Sequence, residues 1–105
     1  MARAVRKGSP TRVSEALAGY LKKAGLASRV AQADVVLAWP DLVGERIARH
    51  ATAESVTPDG TLFVHVKSAA WRQELSLMTP EIIARINAGR GTTGRIERIR
   101  WVHGG

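Results

Sequence analysis

Histidines 50, 65 and 103 are the side chains that could bind a metal or transfer a proton near neutral pH. The sequence places His50 at the end of a helical stretch, His65 in a strand and His103 in the C-terminal tail. None has a second histidine or a carboxylate at the spacing of known metal motifs. The sequence therefore predicts neither a metal site nor a cofactor.

The remaining reactive types are better explained by structure than by catalysis. Ser68 precedes an apolar helical pattern and fits a helix cap better than a nucleophile. Asp34 fits the margin of a helix face, and Asp41 with Glu45 forms a like-charged pair four residues apart on a solvated face. The chain contains no cysteine, which excludes disulfides and thiolate metal sites. We predict that the chain is not an enzyme and takes no small-molecule substrate.

A glycine-rich stretch, G-R-G-T-T-G, spans residues 89–94. It lacks the Gly-Lys-Ser/Thr ending of a nucleotide-binding P-loop, and it precedes a predicted strand instead of a helix. Gly91-Thr92-Thr93-Gly94 does match the G-x-x-G of KH domains, although that loop joins two helices. Flanked by Arg90 and Arg95, it is a weak candidate for contact with phosphate.

Positive charge is the strongest compositional feature. Sixteen Lys and Arg against nine Asp and Glu give a net charge of +7 over 105 residues. Such an excess attracts phosphate backbones, acidic protein surfaces or anionic lipid, and its alternative meaning is solubility or a compositional bias. No apolar run is long enough to span a bilayer, and no apolar segment follows the basic N-terminus as in a signal peptide. We expect a cytoplasmic protein without membrane contact.

The elements that would position these residues begin after a basic, flexible arm over residues 1–9. Ser9-Pro10 starts a helix that Gly25 ends, and one face of that helix carries Val13, Leu17, Tyr20, Leu21 and Ala24. A second helix starts at Ser28, with Val30, Ala33 and Leu37 predicted to face inward. Pro40 closes or kinks it, and the stretch 41–49 continues as one or two helical turns.

Alternation with a period of two follows and predicts a hairpin. Residues 51–56 form a weak strand, Pro58-Asp59-Gly60 a turn, and residues 61–67 a strong strand. Ser68 begins a helix that Thr79-Pro80 restarts, and residues 95–102 form the last strand. The prediction is an α+β fold in the order α-α-β-β-α-β, with one domain over residues 10–103 and a three-stranded sheet covered by helices on one face.

The two faces of this sheet differ in chemistry. Leu62, Val64 and Val66 point inward with Ile99 and Trp101. The outer face therefore carries one aromatic ring, one imidazole and three cations, namely Phe63, His65, Lys67, Arg98 and Arg100. Single-stranded nucleic acid uses such surfaces, because bases stack on rings and cations follow the phosphates. The alternative is that Phe63 packs against neighbouring side chains and the cations are only solvated. The candidate nucleic-acid contacts over the whole chain are Arg3, Arg6, Lys7, Lys22, Lys23, Phe63, His65, Lys67, Arg90, Arg95, Arg98 and Arg100.

The three tryptophans lie in apolar patterns and are expected mainly in the core. Trp71 is predicted to be the first inward residue of its helix. Trp39, beside Pro40 at a helix end, is the one that could be partly exposed and bind a partner protein, since tryptophan is enriched at interface hot spots.

The chain resembles the DciA family of small, basic bacterial proteins. The resemblance rests on the pattern W-x-x-x-V-G-x-x-x-A-x-H-x-T from Trp39, on Gly60-Thr61-Leu62 with alternating valines, on Ser68-x-x-Trp71-x-x-x-Leu75, and on Ile99-Arg100-Trp101. Their combined order extends over residues 10–102, and no one of them is specific alone.

The resemblance implies a KH-like domain similar in layout to the first domain of the bacterial initiator DnaA. It also implies a non-catalytic role in DNA replication, the loading of the replicative helicase DnaB onto single-stranded DNA, with Trp39 as the functionally sensitive position. Two alternatives stay open at this point: a protein-interaction adaptor that does not bind DNA, and a KH-like RNA-binding module.

Overall fold

The computed structural model describes residues 15–17, 19 and 25–104. Residues 15–17 and 19 have helical backbone, in agreement with part of the first predicted helix. The rest of that helix and the predicted basic arm lie outside the described residues.

Helix α1 spans Leu26–Val43 and is followed, after Gly44, by the short helix α2, Glu45–Ala48. Pro40 lies inside α1 and does not end it, because the Gly44 N–H bonds to the Pro40 carbonyl oxygen at 2.9 Å and closes the last turn. The predicted inward face of this helix is wrong. Val30, Ala33 and Leu37 are exposed, and the buried residues of α1 are Gln32, Val35, Trp39 and Val43.

This error has a physical reason. Helix α1 carries two apolar stripes at helical spacing, one through Val30 and Leu37 and one through Val35, Trp39 and Val43. Periodicity identifies both stripes equally well. Only the contact with the sheet and with the later helices decides which of the two is buried.

The sheet contains strands β1, Ala51–Val56, β2, Thr61–Val66, and β3, Arg98–Val102, in the order β1-β2-β3. The first two strands are antiparallel, with an irregularity between Ala53 and Ser55, and β3 runs parallel to β2. A parallel neighbour needs a crossover connection, which the two intervening helices provide.

Helices α3, Ala69–Leu77, and α4, Thr79–Asn87, form that crossover. The predicted cap is confirmed, because the Ser68 Oγ accepts a hydrogen bond of 3.1 Å from the Trp71 backbone N–H. The predicted restart at Thr79-Pro80 is also found. The apolar face of α3 is only partly buried, since Leu75 is buried whereas Trp71 and Met78 are of intermediate exposure.

One hydrophobic core unites these elements on a single face of the sheet. It joins Leu62, Val64 and Val66 of β2 with apolar residues of helices α1 to α4, and Ile99 and Trp101 of β3 pack against it. The α+β class, the order of elements and the one-sided helical layer are therefore confirmed, and they agree with a KH-like fold.

Asn87, at the end of α4, fastens the glycine-rich loop to this core. Its buried side chain donates to the Ile96 carbonyl oxygen at 2.9 Å and accepts from the Ile96 N–H at 3.0 Å. These two hydrogen bonds resemble those between paired strands. They hold the backbone of Ile96 in place two residues before β3 begins.

Candidate nucleic-acid interface

The outer face of the sheet gathers part of the predicted site. Phe63 stands opposite Ser55 on β1 and Arg100 on β3, and His65 stands opposite Thr52 and Val102. Neighbouring strands are about 4.8 Å apart, so these side chains form one continuous surface. We call Phe63, His65, Arg98 and Arg100 the open sheet face, because the helices α1, α3 and α4 pack on the other side.

The chemistry of this face combines an aromatic ring with positive charge. Phe63 and His65 are of intermediate exposure, and Arg100 is exposed. Lys67 is exposed one residue beyond the end of β2, where its backbone N–H bonds to the His50 carbonyl oxygen at 2.9 Å. A nucleobase could lie against Phe63 while the cations meet the adjacent phosphates.

Arg98 is at the rim of the open sheet face and is already engaged. Its guanidinium contacts the Asp59 Oδ2 at 3.0 Å and donates to the Thr61 Oγ1 at 2.9 Å. The pKa of Asp59 lies below its usual range, mainly because the Thr57 hydroxyl donates a hydrogen bond to its carboxylate; Thr61 and the charge of Arg98 lower it further. Arg98 is thus bonded to the hairpin turn and is a weaker candidate for phosphate than Arg100.

Arg90 and Arg95 are not on the strands that form the open sheet face. Arg90 forms an ion pair of 3.1 Å with Asp34 of α1 and also donates to the Ile86 carbonyl oxygen, and its side chain is only 18% exposed. It is a structural link between α1 and α4. Arg95 is exposed and lines a small hollow beside the hairpin turn together with Ser28, Thr92 and Glu97.

The glycine-rich loop has a packing role in the structure. Gly94 is buried with φ of 68°, and a Cβ at this position would lie 2.5 Å from the Ala31 Cβ and 2.9 Å from the Ser28 carbonyl oxygen. The loop therefore rests directly on α1, and only glycine allows that approach. Close packing accounts for Gly94 of the Gly91-Thr92-Thr93-Gly94 match without any phosphate.

The other five predicted contacts lie outside the described residues. They are Arg3, Arg6, Lys7, Lys22 and Lys23. Within the described part of the chain, the structure therefore brings together Phe63, His65, Arg98 and Arg100, with Lys67 at their edge. Arg90 is instead paired with Asp34, and Arg95 lines the hollow beside the hairpin turn.

The expectation that Trp39 is partly exposed is wrong. Its side chain is 2% exposed, its indole N–H donates to the Ala51 carbonyl oxygen at 2.9 Å, and its ring lies 6.3 Å from that of Trp101. Because α1 continues past Pro40, Trp39 stays on the buried stripe instead of standing at a frayed helix end.

A surface that the sequence did not indicate surrounds Trp71. The His50 imidazole stacks on the Trp71 ring at 4.4 Å with an interplanar angle of 14°, and the Arg46 guanidinium lies 5.8 Å from the ring centroid. We call Arg46, His50 and Trp71 the Trp71 cluster. A shallow cavity of about 210 Å³ lies beside it, lined by Arg46, Ala70, Trp71 and Glu74.

Part of this cluster could have been found in the sequence. Arg46 and His50 are four residues apart in a helical stretch, a spacing that places them on one face. Their meeting with Trp71 depends on how α2 and α3 pack, and no local pattern encodes that contact.

Two kinds of site are absent from the part of the chain that the structure describes. In residues 15–17, 19 and 25–104, no group of three or more His, Asp or Glu side chains is placed to hold a metal ion. Within the same residues, no helix has both the length and the apolar content needed to cross a bilayer.

Comparison with known proteins identifies the family. A family model described as "Dna[CI] antecedent, DciA" matches residues 12–100. The chain belongs to the DciA family. The resemblance drawn from the tryptophan, glycine and histidine pattern is thereby confirmed over nearly the whole chain.

Individual relatives are similar over more than three quarters of the chain. A UPF0232 protein of Mycobacterium tuberculosis is 35% identical over 82 residues, which cover 78% of this chain and 43% of the relative. A UPF0232 protein of Streptomyces avermitilis is 33% identical over 86 residues, covering 79% and 48%. The chain thus spans less than half the length of these curated relatives.

Proposed function

We propose that this DciA-family chain is a non-catalytic replication factor that binds single-stranded DNA and assists in loading the replicative helicase DnaB onto it. Membership of the family supports the helicase-loading part of the proposal. The observation that carries the DNA-binding part is the open sheet face, where Phe63 and Arg100 are direct cross-strand neighbours.

The proposed contact follows from the register of the sheet. A base stacked on Phe63 would place its phosphate within reach of Arg100 on one side, and Lys67 extends the positive charge along the same edge. Stacking on an aromatic side chain contributes about 1–3 kcal/mol per base and tolerates any sequence. The proposal therefore predicts binding with little sequence preference and with strong dependence on salt.

Fluorescence anisotropy with a labelled oligo-dT at several salt concentrations tests this proposal. For single strands, the logarithm of the affinity falls with the logarithm of salt with a slope of about −0.7 per neutralised phosphate. Arg100→Gln should weaken binding and reduce the slope by about one such contact. Arg72→Gln is the matched control, because it removes the same charge from an exposed position on α3.

Comparison of the two arginine variants distinguishes a specific DNA-binding site from attraction by net charge alone. Equal losses in Arg100→Gln and Arg72→Gln would mean that net charge alone attracts the DNA. Absence of binding at low salt would remove DNA from the proposal. Phe63→Leu keeps an apolar side chain but removes the ring. If a base stacks there, this substitution should weaken the free energy of DNA binding by about 1–3 kcal/mol.

A second candidate function, a protein-interaction adaptor without DNA contact, is favoured by the Trp71 cluster. A partly exposed tryptophan beside an arginine has the composition of a protein-interface hot spot. Capture of DnaB by this chain after nuclease treatment, together with no oligonucleotide binding, would support the adaptor. Binding of both partners, with each lost separately in Trp71→Ala and Arg100→Gln, would support the loader.

A further inference from the structure

An ion pair at the rim of the open sheet face connects the proposed DNA surface to the hairpin turn. The Arg98 guanidinium lies 3.0 Å from the Asp59 Oδ2, although the two residues are 39 positions apart in sequence. Arg98 precedes Arg100 by two residues on β3, so both side chains leave the same face of the sheet, about 7 Å apart along the strand. One of the two arginines of the open sheet face is therefore bonded to an acid of the same chain.

Both partners of this pair are open to solvent. The Arg98 side chain is 53% exposed and the Asp59 side chain is 66% exposed. Exposed ion pairs are weak, because water and salt screen the charges and because two flexible side chains must be held in one geometry. A DNA phosphate is also an anion, and it accepts the same charge-assisted hydrogen bonds from a guanidinium as a carboxylate does. Phosphate and Asp59 are therefore competitors for Arg98.

The surroundings of Asp59 allow it to release the arginine and keep other partners. Its carboxylate also accepts hydrogen bonds from the hydroxyls of Thr57 and Thr61, the latter at 3.3 Å. These two donors remain when the guanidinium leaves. The backbone is held independently of the ion pair, since the Glu97 N–H bonds to the Gly60 carbonyl oxygen at 2.8 Å. The exchange of partners therefore needs rotation of side chains and no change of fold.

The second ion pair of the described residues is built differently. Arg90 is paired with Asp34 at 3.1 Å, but its side chain is only 18% exposed and it also donates to the Ile86 carbonyl oxygen at 2.9 Å. A phosphate would have to replace both contacts of a mostly buried guanidinium. The Asp34 pair is therefore a reference for the Asp59 pair, with the same residue types in a different environment.

We propose that Asp59 is a built-in competitor of single-stranded DNA, which occupies Arg98 until a phosphate of the bound strand displaces it. This inference rests on the function proposed above, since it requires that DNA binds the open sheet face. In the free chain Arg98 is bonded to Asp59. In the complex Arg98 turns to a phosphate next to the one that Arg100 contacts. Asp59 thus holds the affinity for DNA below the value that the two arginines would otherwise give.

Fluorescence anisotropy with labelled oligo-dT at several salt concentrations tests this competition. Asp59→Asn removes the competing charge and keeps the size of the side chain. We expect it to tighten binding by roughly twofold to fivefold, the range that corresponds to an exposed ion pair. The slope of log affinity against log salt should become steeper by about 0.7, as for one further neutralised phosphate. Asp34→Asn is the matched control, because it removes the same charge at 61% instead of 66% exposure.

A double-mutant cycle assigns the effect to Arg98. In the Arg98→Gln variant, Asp59→Asn should change binding no more than Asp34→Asn does. The same gain with and without Arg98 would overturn the proposal, because Asp59 would then repel DNA directly. Equal gains in Asp59→Asn and Asp34→Asn would also overturn it, because net charge would then account for the change. Weaker binding in Asp59→Asn would mean that the ion pair positions the DNA surface, which contradicts the proposal as well.

Carbon-13 NMR of the side-chain carboxyl groups follows the same exchange without a substitution at Asp59. Saturation with oligo-dT should shift the carboxyl resonance of Asp59, because the guanidinium leaves it, whereas the resonance of Asp34 should stay in place. The shift should be absent in the Arg98→Gln variant. An unmoved Asp59 resonance in the saturated original chain, or an equal shift in the Arg98→Gln variant, would overturn the proposal.

Failure of this inference is distinguishable from failure of the proposed function. An original chain that does not bind oligo-dT at low salt removes both. Salt-dependent binding that Arg100→Gln weakens, together with an Asp59→Asn variant that behaves like Asp34→Asn, retains the DNA site and removes only the competition.

Discussion

Trp39 and Trp71 are both central to the family pattern, but they lie in opposite environments. Trp39 is buried in the core, with its indole N–H bonded to the Ala51 carbonyl oxygen and its ring tilted by 58° against Trp101. Trp71 lies at the edge of the core, where His50 stacks on its ring and Arg46 approaches it from solvent. Trp39 is enclosed in the core, whereas Trp71 packs against the core and also contacts His50 and Arg46.

This contrast shows that two tryptophans of one family pattern differ in their exposure. A buried ring with a satisfied N–H stabilises the fold through packing and has no surface to offer to a partner. A partly exposed ring held by an imidazole keeps a fixed orientation and can still be covered by another molecule. The structure therefore places Trp39 in the core and leaves Trp71, which was expected to face inward, only partly buried.

The largest expected effect is that of Trp39→Ala. Removal of a fully buried tryptophan should lower the free energy of unfolding by about 3–5 kcal/mol. It also leaves the buried Ala51 carbonyl oxygen without its partner, which adds to the loss. Urea denaturation followed by circular dichroism measures the change. A loss below about 1 kcal/mol would contradict the core assignment.

Trp71→Ala should have a smaller effect on stability and a larger one on binding. Because the ring is only partly buried, we expect the free energy of unfolding to fall by about 1–2 kcal/mol. If the Trp71 cluster contacts the helicase, affinity for DnaB should fall at least about tenfold, as at other hot spots. Denaturation and a DnaB binding titration on the same preparation provide both numbers. Equal destabilisation in the two tryptophan variants would remove the distinction.

His50→Ala sharpens the comparison, because it removes the stacked partner of Trp71 and leaves Trp39 untouched. The stacked pair should contribute about 0.5–1.5 kcal/mol to the free energy of unfolding. Loss of the fixed ring orientation should also change the near-UV circular dichroism. His50→Phe is the control, since it preserves a stacked ring and should restore the spectrum. An unchanged spectrum in His50→Ala would show that the core alone orients Trp71.

The smallest expected effect is that of Arg46→Ala. A cation at an exposed aromatic face contributes about 0.5–1 kcal/mol, and the 5.8 Å separation is near the outer limit of that interaction. Stability should change by no more than this amount, whereas DnaB binding should become less sensitive to salt. Arg46→Lys keeps the charge and should behave almost as the original chain. A stability loss comparable to that of Trp71→Ala would place Arg46 in a structural role.

Much of the fold could be predicted from local signals. The Ser68 cap, the Thr79-Pro80 restart and the alternation of Thr61–Val66 each depend on residues close in sequence, and each is found at the predicted place. The alternation also fixed which side chains of β2 share the outer face with Arg100. Such signals succeed because capping and pleating are set by the nearest few residues.

Predictions that required knowledge of a distant contact were wrong or incomplete. The buried stripe of α1 was misassigned because the helix has two apolar faces, and the choice between them depends on the sheet. Arg90 and Arg98 looked like free cations, but Asp34 and Asp59 engage them across 56 and 39 residues. The spacing of residues along the sequence does not predict these two ion pairs.

The sequence by itself determined the α+β class, the order of the elements, the family and the composition of the outer sheet face. These features depend on periodicity, on capping residues and on the order of motifs, all of which can be read directly from the linear sequence. The tertiary structure decided which tryptophan is buried, which arginines are engaged and that Arg46, His50 and Trp71 meet. Those outcomes depend on how the helices pack on one face of the sheet. Burial is a property of the assembled core and is not set by a residue's neighbours in sequence.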